Sequence, residues 1–480
     1  MDDKTQSNKN LRVVIIAHLL IIIVTLGILF FSNSLKISAS NGYILWRFIS
    51  IFTFCWVVWS WKKIKTALFN PYGLFLLAVF LFNLSYVLLS LVPGNGQTSI
   101  ANIFPMDIAT STIIVVNLSI IGLHLGALLA VAVISKLRSE KSFSFSDKDL
   151  TIVGYFLILI SLYPLYLITR GSIQVSIAAG YSSLYRQVAD TGILAGPAIL
   201  ASFIIPGIFL LLAGSKKSQT NRLISLIIII CYTAAQLVLG KRSTAIMPLV
   251  AYIWLWHKTI KPIKVGLLAV LGSLFLFIIF PIIRASRDLS GADKFSWHSI
   301  SSLIGSTNPL LDALNEMGAS VQITSHTIQL IPHYRHFDWG ISYLYSLTTI
   351  LPNLFWKIHP AMAHGTMSAW LISIVDPGLA RLGQGLGFSF IAEAYANFGT
   401  YGALPMTIII GFLFVAFSEY VEKSNNRGYL AAMATYLSFF LFFARAESSD
   451  IIRPFFWYAV MPIFFVLFIQ KYRSKLFIKI

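Results

Sequence analysis

Charged side chains are scarce in this chain of 480 residues. Asp, Glu, Lys and Arg make up 11% of the sequence, whereas hydrophobic residues make up 57%. A soluble domain carries about 25% charged residues, so this composition excludes an ordinary soluble protein. Apolar runs of about 17 residues or more recur along the whole length. We therefore predict an all-α, polytopic integral membrane protein, treated as a single membrane domain over residues 1–480.

Cysteine and acidic residues are also few. The two cysteines, Cys55 and Cys231, both fall in apolar runs, which excludes an extracytoplasmic disulfide within the chain. The 18 acidic residues are outnumbered by 36 basic ones, for a net charge of +18. Nucleic-acid binding does not explain this excess, because the lysines cluster in short loops between apolar runs, as the positive-inside rule requires. The expected partner is the lipid bilayer, with no nucleic acid.

The apolar runs predict about twelve transmembrane helices. They are Val13–Phe31, Tyr43–Trp61, Tyr72–Val92, Thr112–Ile134, Leu150–Ile168, Gly192–Ala213, Leu223–Val238, Ala245–Trp256, Val265–Ile283, Ala394–Ala416, Tyr429–Phe443 and Ile451–Ile469. Every second loop is rich in lysine, which predicts that both termini are cytoplasmic.

One predicted outside loop, residues 284–393, is about 110 residues long. Asn308-Pro309 is typical of a helix start. Leu310, Leu314, Met317 and Val321 would then share one helical face. Two further apolar stretches, 341–356 and 366–375, complete the loop's helices. We expect these helices to lie at the outer interface and to pack over the bundle.

Arginine and lysine are distributed differently on the two sides. The predicted cytoplasmic segments carry 17 Lys and 5 Arg, whereas the extracytoplasmic ones carry 4 Lys and 9 Arg. Topology explains why the inside is positive, but it does not explain the preference for arginine outside. Arginine is suited to holding phosphate bidentately. The pattern therefore indicates a lipid pyrophosphate as ligand.

Three arginines near the outer ends of spans are candidates for that ligand. Arg242 lies in the tight turn 240–244, where a snorkelling anchor is the alternative interpretation. Arg284 and Arg287 are three residues apart, so they share one helix face and could grip one diphosphate. Their alternative is an ordinary cluster at a span end, paired with Asp288.

A second group of candidates surrounds the last spans. Arg445, Glu447, Asp450 and Arg453 fall in one short turn, and four charges there are costly unless paired or used. A mutual salt-bridge network is the alternative. Glu393 enters a span among small and aromatic residues, where a carboxylate could accept a proton near neutrality. It could instead pair with an arginine.

Six of the nine histidines lie in the 284–393 loop. His333 and His336 are the only close pair and have no third ligand nearby, so we predict no metal site. His364 is the first choice for a loop base, with a polar surface residue as the alternative. Walker-type phosphate loops and nucleophile elbows are missing.

Three stretches carry a family resemblance: Gly-Lys-Arg-Ser-Thr at 240–244, Gly-Phe-Ser-Phe-Ile-Ala-Glu-Ala-Tyr-Ala-Asn-Phe-Gly at 387–399, and Arg-Ala-Glu-Ser-Ser-Asp at 445–450. With the many spans and one large late loop, the chain resembles the Wzy-type O-antigen and oligosaccharide repeat-unit polymerases. The resemblance implies a glycosyltransferase C-like membrane fold. It also implies that Arg242 contacts the pyrophosphate and that Arg445 with Glu447 forms the family's late arginine–acid turn.

The resemblance implies a reaction at the outer face of the bacterial cytoplasmic (inner) membrane. A growing glycan leaves undecaprenyl pyrophosphate and joins a hydroxyl at the non-reducing end of another lipid-linked repeat unit. Arginines would take the electrostatic role of a metal, so no cofactor is expected. A chain-length regulator protein is an expected partner. Catalytic roles are predicted for Glu393, Arg242 and Arg445, and substrate contacts for Arg284, Arg287, Arg453, Glu447, Tyr395 and His364.

Two alternatives remain at this point. An O-antigen ligase would use the same donor but would transfer to lipid A core, and the 387–399 motif favours the polymerase. A flippase or transporter for lipid-linked oligosaccharide should carry charges along its spans. Here the spans are nearly free of charge apart from Arg47.

Because a lysine ammonium is a point charge, it cannot supply the two-pronged hydrogen bonding of a guanidinium. We predict that Arg242→Lys, Arg287→Lys and Arg445→Lys each leave the protein inactive, measured as loss of the glycan ladder on surface-glycan electrophoresis. Full glycan ladders from the lysine variants would contradict the predicted binding of the diphosphate by arginine guanidiniums.

Overall fold

The computed structural model describes residues 2–35, 37–65, 67–91, 99–137, 144–185, 196–287, 289–291, 293, 296–304, 309–351 and 356–477. Within these ranges the protein is helical and contains no β-strand, as predicted. The α-helices are α1 Asp2–Ser34, α2 Ala39–Ile64, α3 Pro71–Val79, α4 Ser85–Leu89, α5 Met106–Lys136, α6 Asp147–Ala179, α7 Gly196–Ser202, α8 Ile204–Ala213, α9 Gln219–Val238, α10 Arg242–Thr259, α11 Val265–Leu274, α12 Phe280–Arg287, α13 Trp297–Ile304, α14 Pro309–Gly318, α15 Val321–Leu330, α16 Ile341–Thr348, α17 Pro360–His364, α18 Met367–Val375, α19 Pro377–Arg381, α20 Phe390–Ser424, α21 Arg427–Phe440, α22 Ser449–Pro454 and α23 Met461–Phe477. Three π-helical turns, Phe80–Leu84, Phe275–Ile279 and Phe455–Val460, connect neighbouring helices, and the 3-10 turns are Ile100–Asn102, Tyr181–Tyr185 and Leu441–Arg445.

Ten helical segments of the described chain are long and apolar enough to cross a membrane. They are Lys9–Ser32, Ala39–Ile64, Pro71–Leu89, Met106–Lys136, Asp147–Ala179, Gly196–Ala213, Gln219–Val238, Phe390–Ser424, Arg427–Arg445 and Ser449–Arg473. The polytopic helical architecture is therefore confirmed. Predicted spans Ala245–Trp256 and Val265–Ile283 fall on α10 and on the continuous run from α11 to α12, which are not among the ten, so the count of twelve stays a prediction. Residues 92 and 192–195, at the ends of two predicted spans, lie outside the described ranges.

Lysine-rich and arginine-rich groups lie at opposite ends of the bundle. Near the C-terminal end of α20, Lys258 pairs with Glu422 at 3.0 Å and Lys65 pairs with Glu419. Arg473 pairs with buried Asp149 at 2.8 Å at the same end. Glu393 enters α20 some 30 residues earlier, about 45 Å away at the rise of an α-helix. Lys65 and Lys258 therefore lie at the end of the bundle opposite Glu393, and which end faces the cytoplasm stays a prediction.

Helices α5 and α20 approach each other through glycines. A Cβ at Gly126 would overlap the carbonyl oxygen of Ile408, and a Cβ at Gly411 would overlap that of Leu123. Gly122 and Gly126 form a small-xxx-small pattern, which lets helix backbones pack closely in a membrane. This contact runs through the centre of the bundle and fixes the position of α20.

Two irregularities shape the arginine-rich end. Gly399, at φ +70°, kinks α20, and the ring of Phe337 packs 3.4 Å from where its Cβ would stand. The π-helical turn Phe80–Leu84 turns Asn83 inwards, where its amide donates to the Ala444 carbonyl at 3.1 Å. Immediately after it, the Ser85 hydroxyl donates to the Leu314 carbonyl in α14 at 3.1 Å. One helical segment therefore holds both α14 and the turn that contains Arg445.

Between α12 and α20 the described residues form seven short helices, α13 to α19, and include none of the ten candidate spans. Helix α14 begins at Pro309 as predicted, although Asn308 lies outside the described ranges. It ends at Gly318, so Val321 belongs to α15 and the predicted single face was too long. Helix α18 agrees with the predicted 366–375 stretch, since Thr366 caps it and it stops before Asp376. Helix α16 ends at Thr348, earlier than the predicted 341–356 stretch.

The glycine contact between α5 and α20 predicts a stability effect. Gly126→Ala should destabilise the protein by about 1–3 kcal/mol, because the added methyl group forces the two backbones apart. Thermal unfolding in detergent measures this. Gly27→Ala in α1 is the matched control, because nothing lies within 4 Å of its Cβ position. Equal melting temperatures for the two variants would contradict the close-approach interpretation.

Candidate active site

Four arginines from three parts of the chain surround one carboxylate at the arginine-rich end. Arg242 begins α10, Arg284 and Arg287 lie in the last turns of α12, and Arg445 ends the 3-10 turn after α21. The carboxylate is that of Glu316 in α14. We call these four guanidiniums, with Glu316 and Asp312, the arginine cluster.

Glu316 is shared by three of the four guanidiniums. Arg242 donates from both terminal nitrogens, Nη1 to Oε2 at 3.0 Å and Nη2 to Oε1. Arg287 Nη1 lies 3.5 Å from Oε1, and Arg284 Nε lies 3.7 Å from Oε2. Arg284 also pairs with Asp312 at 3.3 Å. Arg445 makes no hydrogen bond or ion pair within the described ranges, but it is in electrostatic range of Glu316, Arg242 and Arg287.

Aromatic rings hold two of these side chains in place. The Arg242 guanidinium lies over Phe280, 4.2 Å from the ring centre, and that of Arg287 lies over Tyr181 at 3.9 Å. Gly240 makes room for the second pair. It has φ +77°, and a Cβ there would stand 3.0 Å from the Tyr181 ring and 3.4 Å from Arg287 Cγ. The tight turn predicted around Arg242 therefore also positions Arg287.

The arginine cluster carries a net positive charge and is open to solvent. Four guanidiniums face two carboxylates, and the side chains of Arg284 and Glu316 are 47% and 26% exposed. Burial raises the pKa of Glu316, but the Arg242 hydrogen bond and the charges of Arg242, Arg287 and Arg284 outweigh burial and leave that pKa lowered. Glu316 is therefore ionised at neutral pH, and the cluster retains an excess of about two positive charges.

The charged turn after α21 is not neutralised by its own residues. No ion pair joins Arg445, Glu447, Asp450 and Arg453 in the part of the chain that the structure describes, so the predicted alternative of a mutual salt-bridge network is wrong there. Arg445 turns towards the arginine cluster and packs against Gly387, whereas Arg453 is exposed. The structure separates two arginines that the sequence placed in one group.

Glu447 binds the N-terminus of α18. Its Oε2 accepts the Met367 amide at 2.9 Å and its Oε1 accepts the Ser368 amide at 3.4 Å. Burial raises the pKa of Glu447 to about 8, and the nearby carboxylates of Glu393 and Asp450 act in the same direction. The two amide contacts lower the pKa but do not offset burial.

Glu393 is fully buried and pairs with no arginine in the described part of the protein. Its Oε1 accepts from the hydroxyls of Ser342 at 3.0 Å and Ser448 at 2.6 Å, and its Oε2 accepts the Ser448 amide at 2.7 Å. Both oxygens are thus engaged in fixing the turn that carries Arg445 and Glu447. Tyr395, also buried, donates to the Ile331 carbonyl at 3.3 Å rather than to the arginine cluster.

His364 belongs to a second polar group. Its ring stacks on Tyr345 at 4.3 Å, and its Nε2 lies 3.7 Å from Asp338 Oδ2. Asp338 is held by Arg335 through Nε at 3.1 Å and Nη2 at 2.8 Å. His364 is 23% exposed, so the alternative of a simple surface residue does not describe it. Because His364 lies two residues before Thr366, the cap of α18, and α18 holds Glu447, this group adjoins the charged turn.

Several residues of the site were missed by the sequence analysis. Glu316 and Asp312 were given no role, although their spacing of four places both on one helix face. Arg335 and Asp338, three residues apart, gave a similar signal beside the histidine pair. Tyr181 gave none. Within the described ranges no group of three or more His, Cys, Asp or Glu residues is placed to hold a metal ion.

Comparison with known proteins gives the family. The model of the O-antigen polysaccharide polymerase Wzy family matches residues 13–476, nearly the whole chain. The chain belongs to that family. Searches of curated proteins and of solved structures find no match. Membership, together with the ten candidate spans, makes this Wzy protein a membrane-embedded polymerase of the glycosyltransferase type that acts on lipid-linked oligosaccharide.

The environment of Glu447 predicts a pH effect on stability. Its pKa is about 8 in the folded protein against an ordinary value of 4.5, so between about pH 5 and 8 the folded state binds a proton that the unfolded state has released. Stability should therefore fall as pH rises through this window. In Glu447→Gln the fall should be shallower, measured as melting temperature against pH. Parallel curves for variant and wild type would contradict the raised pKa.

Proposed function

We propose that this Wzy protein transfers a growing glycan from undecaprenyl pyrophosphate to the non-reducing end of another lipid-linked repeat unit, at the outer face of the cytoplasmic membrane. The observation that carries the proposal is the convergence of Arg242, Arg284 and Arg287 on the partly exposed carboxylate of Glu316, with Arg445 in electrostatic range of it. Guanidinium groups bind phosphate bidentately and are the common choice for phosphate recognition.

The charge of the arginine cluster matches this ligand. Four guanidiniums against Glu316 and Asp312 leave an excess of two positive charges. A lipid diphosphate joined to a sugar carries one negative charge on each phosphate, so it is attracted to that excess.

The proposed step breaks one bond and forms one. A hydroxyl oxygen of the acceptor sugar attacks the anomeric carbon of the donor glycan, and the bond from that carbon to the diphosphate oxygen breaks. The diphosphate leaves with the electron pair, and the arginine cluster stabilises the charge that develops on it. The hydroxyl proton passes to a base. The leaving group is already stable, so positioning and charge stabilisation supply most of the catalysis.

His364 is the proposed base. Of the three titratable candidates, Glu393 is fully buried with both oxygens occupied, and Glu447 is nearly buried with both oxygens on α18. The His364 side chain is 23% exposed, and its buried Nε2 lies 3.7 Å from Asp338, whose charge can stabilise the imidazolium, so we propose that Nδ1 accepts the proton. We propose that Glu393 and Glu447 instead position the turn that carries Arg445.

The remaining predicted contacts have different support. Arg284 and Arg287 are proposed to bind the diphosphate directly. Arg453 is exposed, so we propose that it contacts a more distant part of the glycan, whereas Tyr395 is buried with its hydroxyl on the Ile331 carbonyl and is assigned a structural role. The cytoplasmic location of both termini and a chain-length regulator as partner are proposed on the lysine pattern and on the family respectively.

Purified protein with a lipid-linked repeat unit in detergent tests the proposal. The wild type should build a ladder of glycan lengths. His364→Gln should slow chain growth by about 10²-fold or more, because the hydroxyl loses its proton acceptor. His336→Gln is the matched control, since this histidine is exposed in the same segment and should leave growth near the wild-type rate.

Deletion of the gene in the cell distinguishes a polymerase from the two alternatives, an O-antigen ligase and a flippase. Loss of a polymerase leaves lipid A core that carries a single repeat unit, whereas loss of a ligase or a flippase leaves bare core. Bare core, together with no chain growth in detergent, would reject the polymerase function proposed here.

A further inference from the structure

We propose that Glu316 is an internal counter-ion that occupies the place of the substrate diphosphate and is displaced when the diphosphate binds. This inference rests on the proposed function. It assigns to Glu316 a positioning role: the carboxylate holds the guanidiniums together in the empty site and competes with the ligand for them.

The first support is the hydrogen bonding of the Arg242 guanidinium. Both terminal nitrogens of Arg242 already donate to the two oxygens of Glu316. This end-on bidentate geometry is the one a guanidinium uses for carboxylate or phosphate. A diphosphate can bind the same two nitrogens of Arg242 only after the carboxylate moves away.

The second support is that one carboxylate is too small for the site. The Nε of Arg287 is buried without a hydrogen-bond partner, and Arg445 has no hydrogen bond or ion pair among the residues described. Arg284 and Arg287 approach Glu316 only at 3.7 and 3.5 Å, longer than an ordinary charged hydrogen bond. Two phosphates bring more acceptor oxygens than a carboxylate, so they can satisfy donors that Glu316 leaves unused.

The third support is that Glu316 can move while its helix stays fixed. Helix α14 is held at its C-terminal end, where Ser85 donates to the Leu314 carbonyl and Gly318 packs against Ser85 and Tyr86. The Glu316 side chain is 26% exposed, so a change of side-chain rotamer can carry the carboxylate into solvent. Displacement is therefore local.

The consequence is that Glu316 weakens binding of the diphosphate and speeds its release. In the empty site Glu316 offsets the mutual repulsion of the arginines. After the transfer step it can return and help to expel the lipid diphosphate. Replacing it with a neutral amide of the same shape should tighten binding of the diphosphate and slow its release, so that KM and kcat both fall.

Inorganic pyrophosphate is the probe, titrated calorimetrically into the purified full-length protein. Glu316→Gln should bind pyrophosphate about tenfold more tightly than the wild type. We expect this factor if the Glu316 carboxylate leaves the guanidiniums free about one tenth of the time in the wild type. Asp107→Asn, in the exposed first turn of α5 and outside the arginine cluster, is the control. It removes one negative charge without touching the four guanidiniums, so its affinity should change less than threefold.

A measurement on the wild type avoids any effect of the substitution on folding. Carboxyl groups are labelled with a carbodiimide and an amine, and the labelled residues are quantified by mass spectrometry. Pyrophosphate should raise labelling of Glu316 at least threefold, because it frees the carboxylate from three guanidiniums.

The outcomes separate the two proposals. If the wild type binds pyrophosphate, but Glu316→Gln binds it no more tightly and labelling of Glu316 does not rise, the displacement proposal is overturned and the diphosphate site stands. If pyrophosphate binds no better to the wild type than to Arg242→Ala and Arg445→Ala, the diphosphate site fails and the role of Glu316 fails with it.

Discussion

Mutual repulsion among guanidiniums is the constraint on which this site depends. Two like charges 4 Å apart repel by about 4 kcal/mol at an effective dielectric constant of 20, so four arginines do not gather without a compensating anion. Glu316 supplies that anion in the empty protein. It reaches the arginines because the segment from α3 through the π-helical turn to α4 holds α14 on one side and the Ala444–Arg445 turn on the other. The π-helical turn therefore has a direct role in building the site.

The arginine cluster and the group around His364, the proposed base, are connected through helix α18. His364 and Thr366 precede α18, and the first amides of α18 bind Glu447, two residues after Arg445. Glu393 fixes the same turn from the opposite side through Ser448. The distance between the leaving-group site and the proposed base is thus set by buried hydrogen bonds rather than by the exposed loops around them. In the function proposed above, the buried carboxylates of Glu393 and Glu447 position this turn and do not accept the proton.

The opposite end of the bundle uses charge differently. Lys65, Lys258, Arg427 and Arg473 there each pair with an acidic residue, and none of these described pairs gathers several guanidiniums around one carboxylate as Glu316 does. The glycine-lined contact between α5 and α20 connects the two ends as one rigid body of packed helices. A single chain therefore carries ion pairs that stabilise the bundle at one end and an unbalanced cluster suited to an anionic ligand at the other.

The sequence alone determined the properties that depend on neighbouring residues. Spans follow from hydropathy, the start of α14 from Pro309, and the cap of α18 from Thr366, because each is a local preference. The surplus of arginine over lysine identified Arg242, Arg284, Arg287 and Arg445 before any contact was known. Tertiary structure alone decided which groups meet. Glu316 lies 74 positions from Arg242, and Asp338 lies beside both Arg335 and His364. Arg453 is exposed, whereas Arg445, eight residues earlier, packs against Gly387. Pairings of this kind depend on how helices pack, which a pattern of residue types does not encode.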